Sequence, residues 1–274
     1  MNSKPLISAA VIQMSTDQKK DSNLARANQL CQQAINNGAT LLALPELFNS
    51  KSILTDAEPI PGPSTQPLIN LSVKHNVTII AGSILEQSSN PHRPFNTSIL
   101  ISDTGSIIKT YRKIHLFKYR TLDESTLFTP GTTPEIGIIK PKRKPELQLS
   151  IGLSICYDIR FPELYRHYAL QSATVLSIPA AFTKPTGEAH WEPLLRARAI
   201  ENQCFILAPN QVGIGSHKLE FYGNSMIIDP WGTILARGSS SENEVIYATL
   251  DLNHQHLIRN TLPCLSDRIL SINS

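Results

Sequence analysis

The chain is poor in charge and in aromatic rings, and it has no long apolar run. Asp, Glu, Lys and Arg make up 17% of its 274 residues, a low share for a disordered or heavily solvated chain. No stretch approaches the roughly 18 consecutive apolar residues that cross a bilayer, so no membrane partner is expected. Met1-Asn2-Ser3-Lys4 leads straight into alternating residues without a signal-peptide apolar core. A cytoplasmic protein is the expectation. The four cysteines, Cys31, Cys156, Cys204 and Cys264, are far apart and form no CxxC pair. That leaves a zinc site or a thioredoxin-type motif unsupported. In a reducing compartment all four are free thiols. The formal net charge is only +3, and the one compact basic stretch, Lys140 to Lys144, is interleaved with proline. It reads as a solvated loop rather than a nucleic-acid surface.

What is present is core material. Hydrophobic residues make up 41%, enough for one large α/β domain or two small ones. Strand-like and helix-like segments alternate from end to end, with no repeat and no linker. Leu6 to Met14 reads as a strand. Asp21 to Asn36 reads as a helix, with Leu24, Ala27, Cys31, Ala34 and Ile35 at helical spacing and Asn37-Gly38 at its end. Thr40 to Leu44 is a short buried strand, Gln66 to His75 a helix, and Val77 to Ser83 a strand. Asn96 to Ser102 and Ser106 to Tyr111 flank the turn Asp103-Thr104-Gly105, a hairpin signal. Leu147 to Ile155 is a strand running into Cys156. Glu163 to Leu170 is a helix, Thr174 to Ile178 a strand, Glu188 to Asn202 a longer helix, and Cys204 to Leu207 a strand. The last third is strand-rich (Asn224 to Ile228, Thr233 to Ala236, Val245 to Leu250), with a helix over Asn253 to Arg259. This alternation predicts a mixed α/β fold. Periodicity alone leaves open whether one sheet or two form its core.

Three polar residues sit at strand ends, where α/β folds place function. Glu46 follows Leu41-Leu42-Ala43-Leu44-Pro45, and an acid at the mouth of a buried strand can serve as a general base. Taken alone it reads as well as a cap or a surface acid. Lys113 follows a hairpin strand, and a fixed ammonium can stabilise an oxyanion, although most lysines are solvated. Cys156 ends an apolar strand, where a sharp junction presents its sulfur to a pocket and frees the next backbone N–H. Alone it reads as a buried thiol, as do Cys31 and Cys204. His115 is expected to pack and hydrogen-bond near the site. Trp191 and Trp231 are expected in the core. Together, Cys156 can attack an amide carbonyl carbon and Glu46 can take the thiol proton and deliver a proton to departing ammonia. Lys113 and the Tyr157 N–H can hold the oxyanion. A thioester forms, and Glu46 then activates water. No metal and no organic cofactor is required.

Three segments carry a resemblance: Leu42-Ala43-Leu44-Pro45-Glu46-Leu47-Phe48, Tyr111-Arg112-Lys113-Ile114-His115-Leu116-Phe117, and Gly152 to Leu164 around Cys156-Tyr157-Asp158. They resemble, in order, the signature regions of the nitrilase (carbon–nitrogen hydrolase) superfamily. The similarity continues through Pro185 to Glu192, Arg196 to Gln203 and Tyr222 to Gly232, so it runs from about Leu6 to Arg268. It implies a four-layer αββα sandwich, a single carbon–nitrogen hydrolase domain over residues 1–274, and a homodimer joined through the layer of the nucleophile's helix. It implies a second glutamate that orients Lys113, and Glu124 is the matching residue. Ala181 to Gly187 and Cys156 to Arg166 are most similar to the small amidases that repair deaminated glutathione. Close relatives are ω-amidases acting on α-ketoglutaramate. A small-molecule amide is thus the expected substrate, and a catalytically silent protein that keeps the fold is the alternative of another class. Arg160 is a candidate clamp for a substrate carboxylate, or else an ion-pair partner of Asp158 or Glu163. Phe182 and Thr186 are candidate pocket residues, or packing and capping groups. Lys118 to Leu122 departs in charge and length from the loop usual in both groups, and that loop borders the pocket.

Overall fold

The computed structural model describes residues 5–16, 19–50, 55–215 and 219–270. Two sheets form, not one. In the first, β1 (Leu6–Gln13) lies between β17 (Glu244–Asp251) and β2 (Leu41–Ala43). Beyond β2 follow β3 (Thr78–Ile80), β5 (Phe95–Ile101) and β4 (Ile84–Glu86), with β6 (Ile107–Arg112) also paired to β5. In the second, the order is β16 (Ile234–Arg237), β15 (Met226–Ile228), β12 (Phe205–Ala208), β11 (Val175–Ser177), β10 (Leu149–Leu153) and β9 (Glu135–Ile139). Two small hairpins, β7 (Lys118–Tyr119) with β8 (Leu122–Asp123) and β13 (Val212–Ile214) with β14 (Glu220–Tyr222), stand apart from both sheets.

Successive strand residues point to opposite faces, and here both faces are buried. Ile7, Ala9 and Val11 of β1 join Leu41, Ala43, Leu149, Ile151 and Leu153 in one core cluster. Ala10, Ile12 and Met14 face the other way, onto Ala27, Leu30, Cys31 and Ala34 of helix α1 (Lys20–Asn36) and Leu68 of α2 (Gln66–His75). The second sheet is covered by α3 (Pro162–Leu170) and α4 (Lys184–Asn202), which bury Tyr165, Tyr168, Trp191 and Leu195 against it. The result is helix, sheet, sheet, helix: the four-layer sandwich. Gly152 of β10 allows the close approach of α3, since a Cβ there would lie 2.7 Å from the Tyr168 ring. A fifth helix, α5 (Leu252–Thr261), begins where Asp251 accepts from the Asn253 and His254 amides.

Several expectations change in detail. The helix expected from Glu188 begins at Lys184, because Pro185 suits a first turn and needs no acceptor. Strands β4, β9, β13 and β14 had no sequence signal strong enough to be read. Trp231 is a correction: it is 59% exposed, on the turn that Asp229 builds by accepting from the Trp231 and Thr233 amides. Trp191 is fully buried and donates its indole N–H to the Asn224 carbonyl at 2.8 Å.

The strands β1, β2 and β3 run parallel, as do β10, β11 and β12. The loops after β2, β10 and β11 converge at one end of the sandwich, which is where α/β sheets place ligand clefts.

Candidate active site

Glu46 lies three residues beyond β2 and is 2% exposed. Its carboxylate is held from three sides. Oε1 accepts from Lys113 Nζ at 2.9 Å and from Asn96 Nδ2 at 2.8 Å. Oε2 accepts from the Ala181 amide at 2.8 Å, which ties the first sheet's acid to a loop of the second. Gln211 also donates to the Glu46 backbone carbonyl at 2.7 Å.

Lys113 directly follows β6, and its own amide donates to the Asn96 carbonyl at 2.8 Å. Its ammonium is 1% exposed. Besides Glu46 it reaches Glu124, at 2.8 Å to Oε2 and 3.1 Å to Oε1. Burial alone disfavours the ammonium, but the carboxylates of Glu124 and Glu46 together outweigh it and hold Lys113 well above the usual lysine range. Glu124 opens a short 3₁₀ turn, Glu124–Thr126, and takes the Phe117 amide on Oε2 at 2.7 Å. Burial raises its carboxyl above the ordinary value despite Lys113, with Glu46 adding to the rise.

Cys156 begins the 3₁₀ turn Cys156–Arg160 at the end of β10, with φ at +49°. Its amide donates to Pro179. The Asp158 amide makes the first bond of the turn, to Ile155. The Tyr157 N–H therefore has no acceptor one turn back, as is general for the first amides of a helix. Burial first, and the Glu46 charge second, push the Cys156 thiol well above its usual range against the pull of Lys113. Cys156 is therefore a neutral thiol, and thiolate chemistry at this position would need a base.

Asp158, which received no role from the sequence beyond a partner for Arg160, anchors this turn from inside. It is fully buried and takes the Tyr111 hydroxyl at 2.7 Å, the Ile155 amide at 2.8 Å, and the amide and Nδ1 of His115 at 3.1 and 2.7 Å. His115 stacks on Phe161 with ring centroids 3.6 Å apart.

A cavity opens over Cys156. Glu46, Glu124, Tyr157, Arg160, Phe182 and Thr186 line it, while Lys113 lies behind the two glutamates. Among the described residues no carboxylate pairs with Arg160. Its guanidinium lies over the Phe182 and Tyr157 rings, 5.5 and 5.8 Å from their centroids, and 3.4 Å from His190 Nδ1. The ion pair with Asp158 or Glu163, the alternative to a carboxylate clamp, does not form. Phe182 also packs on Trp191, and the Thr186 hydroxyl is engaged with Thr183 in the first turn of α4. Among the described residues no group of three or more His, Cys, Asp or Glu side chains could hold a metal ion. Cys31 and Cys204 are buried away from the cavity, and Cys264 is exposed.

The arrangement joins a neutral thiol, a carboxylate touching it electrostatically, and a buried ammonium. Residues 8–260 match the carbon–nitrogen hydrolase family. This chain belongs to that family. A Synechocystis protein named deaminated glutathione amidase is 36% identical, covering 97% of this chain and 99% of its own. A Mus musculus protein named omega-amidase NIT2 is 35% identical, covering 94% of each chain. Among solved structures, Saccharomyces cerevisiae Nit3, described as a member of branch 10 of the nitrilase superfamily, superposes with a TM-score of 0.83. It is 32% identical and covers 95% of each chain. The protein is a carbon–nitrogen hydrolase, and the four-layer sandwich is its family's fold.

Proposed function

We propose that this hydrolase is a cysteine-dependent amidase that acts on a small ω-amide, with deaminated glutathione as the preferred substrate. The observation that carries the reading is the meeting of Glu46, Lys113, Glu124 and Cys156 beneath a cavity whose one arginine has no carboxylate partner among the described residues.

The substrate carbonyl carbon sits over Cys156. Glu46 takes the thiol proton as the C–S bond forms. The oxyanion lies against Tyr157 N–H and Lys113. An ammonium has three donors; Lys113 directs them at Glu46 and at both oxygens of Glu124, and the donor on the longer contact, to Glu124 Oε1, turns to the oxyanion as it forms. Glu46 returns the proton to the leaving nitrogen as the C–N bond breaks. Water, deprotonated by Glu46, then cleaves the thioester, and the thiol recovers its proton. The second glutamate, Glu124, fixes the ammonium and keeps the thiol neutral until substrate arrives. Arg160 holds a substrate carboxylate, while Phe182 and Thr186 shape the cavity wall. The working unit is a cytoplasmic homodimer built from a single-domain chain, and no metal or organic cofactor takes part.

Side-by-side kinetics test the assignment. Deaminated glutathione should show a higher kcat/KM than α-ketoglutaramate or simple nitriles. Arg160→Lys should raise KM more than it lowers kcat, because lysine keeps the charge but loses the planar fork. A better kcat/KM for α-ketoglutaramate makes the enzyme an ω-amidase. Cleavage of neither amide removes both substrates and leaves only the family.

A further inference from the structure

We infer that Asn96 is a positioning residue for the reaction: its carboxamide closes off Oε1 of Glu46, so that Oε2 alone carries the proton between Cys156 and the leaving nitrogen. The inference rests on Glu46 being the base.

A carboxylate offers about four acceptor sites, two on each oxygen. On Oε1 both are filled, by Lys113 Nζ and Asn96 Nδ2. On Oε2 one is filled, by the Ala181 amide, and one remains. Cys156 and Glu46 line the same cavity, so the open site on Oε2 is the one left to receive a proton from the thiol. Without Asn96 a proton taken from sulfur could settle on Oε1, away from the leaving group. With Asn96 in place, the C–S bond forms as the proton passes from Sγ to Oε2. It then leaves Oε2 for nitrogen as the C–N bond breaks.

The orientation of the carboxamide follows from its neighbours. An amide oxygen turned toward Glu46 Oε1 at 2.8 Å would set two acceptors against each other, so the NH₂ group faces the carboxylate. This leaves Oδ1 buried with no partner among the described residues, in a side chain 1% exposed. Asn96 also sets the lysine, through its carbonyl and the Lys113 amide. One residue on β5 thus holds the base by its side chain and the cation by its backbone. The charged or titratable groups that face Glu46 are Lys113, Glu124 and Cys156, and Asn96 is the neutral side-chain donor beside the Ala181 amide.

The experiment is the pH profile of kcat/KM for Asn96→Leu, which matches the shape but cannot donate. The base loses a hydrogen bond to its charged form, so the acid limb should move up by about one pH unit. The plateau should fall about tenfold, as expected for one charge-assisted bond. The melting temperature should change little, since the unmet Oδ1 and the bond to Glu46 are lost together. Should the Leu variant fail to fold, Asn96→Ala is read by the same limb. An acid limb that stays in place overturns the inference, whatever happens to the plateau. Glu46→Gln separates the two levels of the argument. If that variant is inactive while Asn96→Leu keeps the wild-type profile, only the role of Asn96 falls. If Glu46→Gln turns over normally, the base itself is misassigned.

Discussion

Cys156 adopts a backbone conformation that costs an L-residue about 1–2 kcal/mol, and glycine nothing. At φ +49° it is the one non-glycine residue of its turn in the left-handed region. The turn is held there by the Cys156 amide on Pro179 and by the Asp158 carboxylate on Ile155. The strain aims the sulfur at the cavity and leaves the Tyr157 amide uncommitted. Cys156→Gly should therefore melt at or above Cys156→Ala, by about 1 kcal/mol, although it has one methyl fewer. Both should be devoid of amidase activity. Thermal melts and product assays on the pair check this, and a clearly more stable Ala variant would mean the turn is relaxed. Glu46 and Cys156 stood out in the sequence because each follows an apolar strand, and Lys113 because it follows a hairpin strand, all three within family motifs. Asn96 and Asp158 did not. Asn96 shares a strand face with Ser98 and Leu100, and a polar residue on a face that turns out to be internal is the only local trace it leaves. Asp158 was visible as a charge, but three of its four bonds come from the segment Tyr111 to His115, which no sequence spacing connects to it.

At the scale of elements, the segment Lys118 to Leu122, read from the sequence as a loop, belongs to a hairpin held by Phe117 and Glu124. The Glu124 amide donates to the Phe117 carbonyl at 2.8 Å, and the Glu124 carboxylate takes the Phe117 amide in return. Lys118 pairs with Asp123 at 2.9 Å across β7 and β8, and Asp123 also receives the Ser125 amide of the next turn. The hairpin thus sets the lip of the cavity through Phe117 and Leu122, while its tip, Arg120, lies outside the cavity lining. Arg120 has φ at +53°, again left-handed. Arg120→Gly should relieve that strain and melt no lower than the parent, with kcat for a small amide unchanged. A drop in kcat would mean the tip itself reaches the substrate. Short pieces such as β7, β8 and β4 escape a sequence reading because two or three residues carry no period. The first turn of α4 escaped because Pro185 and Gly187 look like breakers. Gly187 is there for close approach, since a Cβ would lie 2.4 Å from the Tyr222 ring.

For the whole molecule, the two-sheet core was hidden for a physical reason: β10 is buried at every position and β1 on both faces, so neither shows the half-polar alternation of an outer sheet. That same double burial encloses titratable groups with an alkaline consequence. Burial pushes the Cys31 thiol up to about 12 and the Cys204 thiol up to about 11 from the ordinary thiol value of 9.0, the latter against the pull of Arg259. Cys156, Tyr111, Tyr165 and Tyr168 are also raised, in each case by burial first. In the unfolded chain these groups lose their protons near their ordinary values. Between those values and the raised ones the folded state binds more protons, so stability falls as pH rises. Each thiol contributes a slope of about 1.4 kcal/mol per pH unit within its window. For Cys31 the window runs from about 9 to about 12, and for Cys204 from about 9 to about 11. Stability should be unaffected by these groups below pH 9 and should decline steeply above it. The double variant Cys31→Ala/Cys204→Ala removes two of the six groups. It should start from a lower stability at neutral pH, because two core side chains are shortened, yet lose less per pH unit above 9. Urea midpoints measured from pH 7 to 10.5 on both proteins test the claim, and parallel curves across that range would show that the buried thiols do not drive alkaline unfolding.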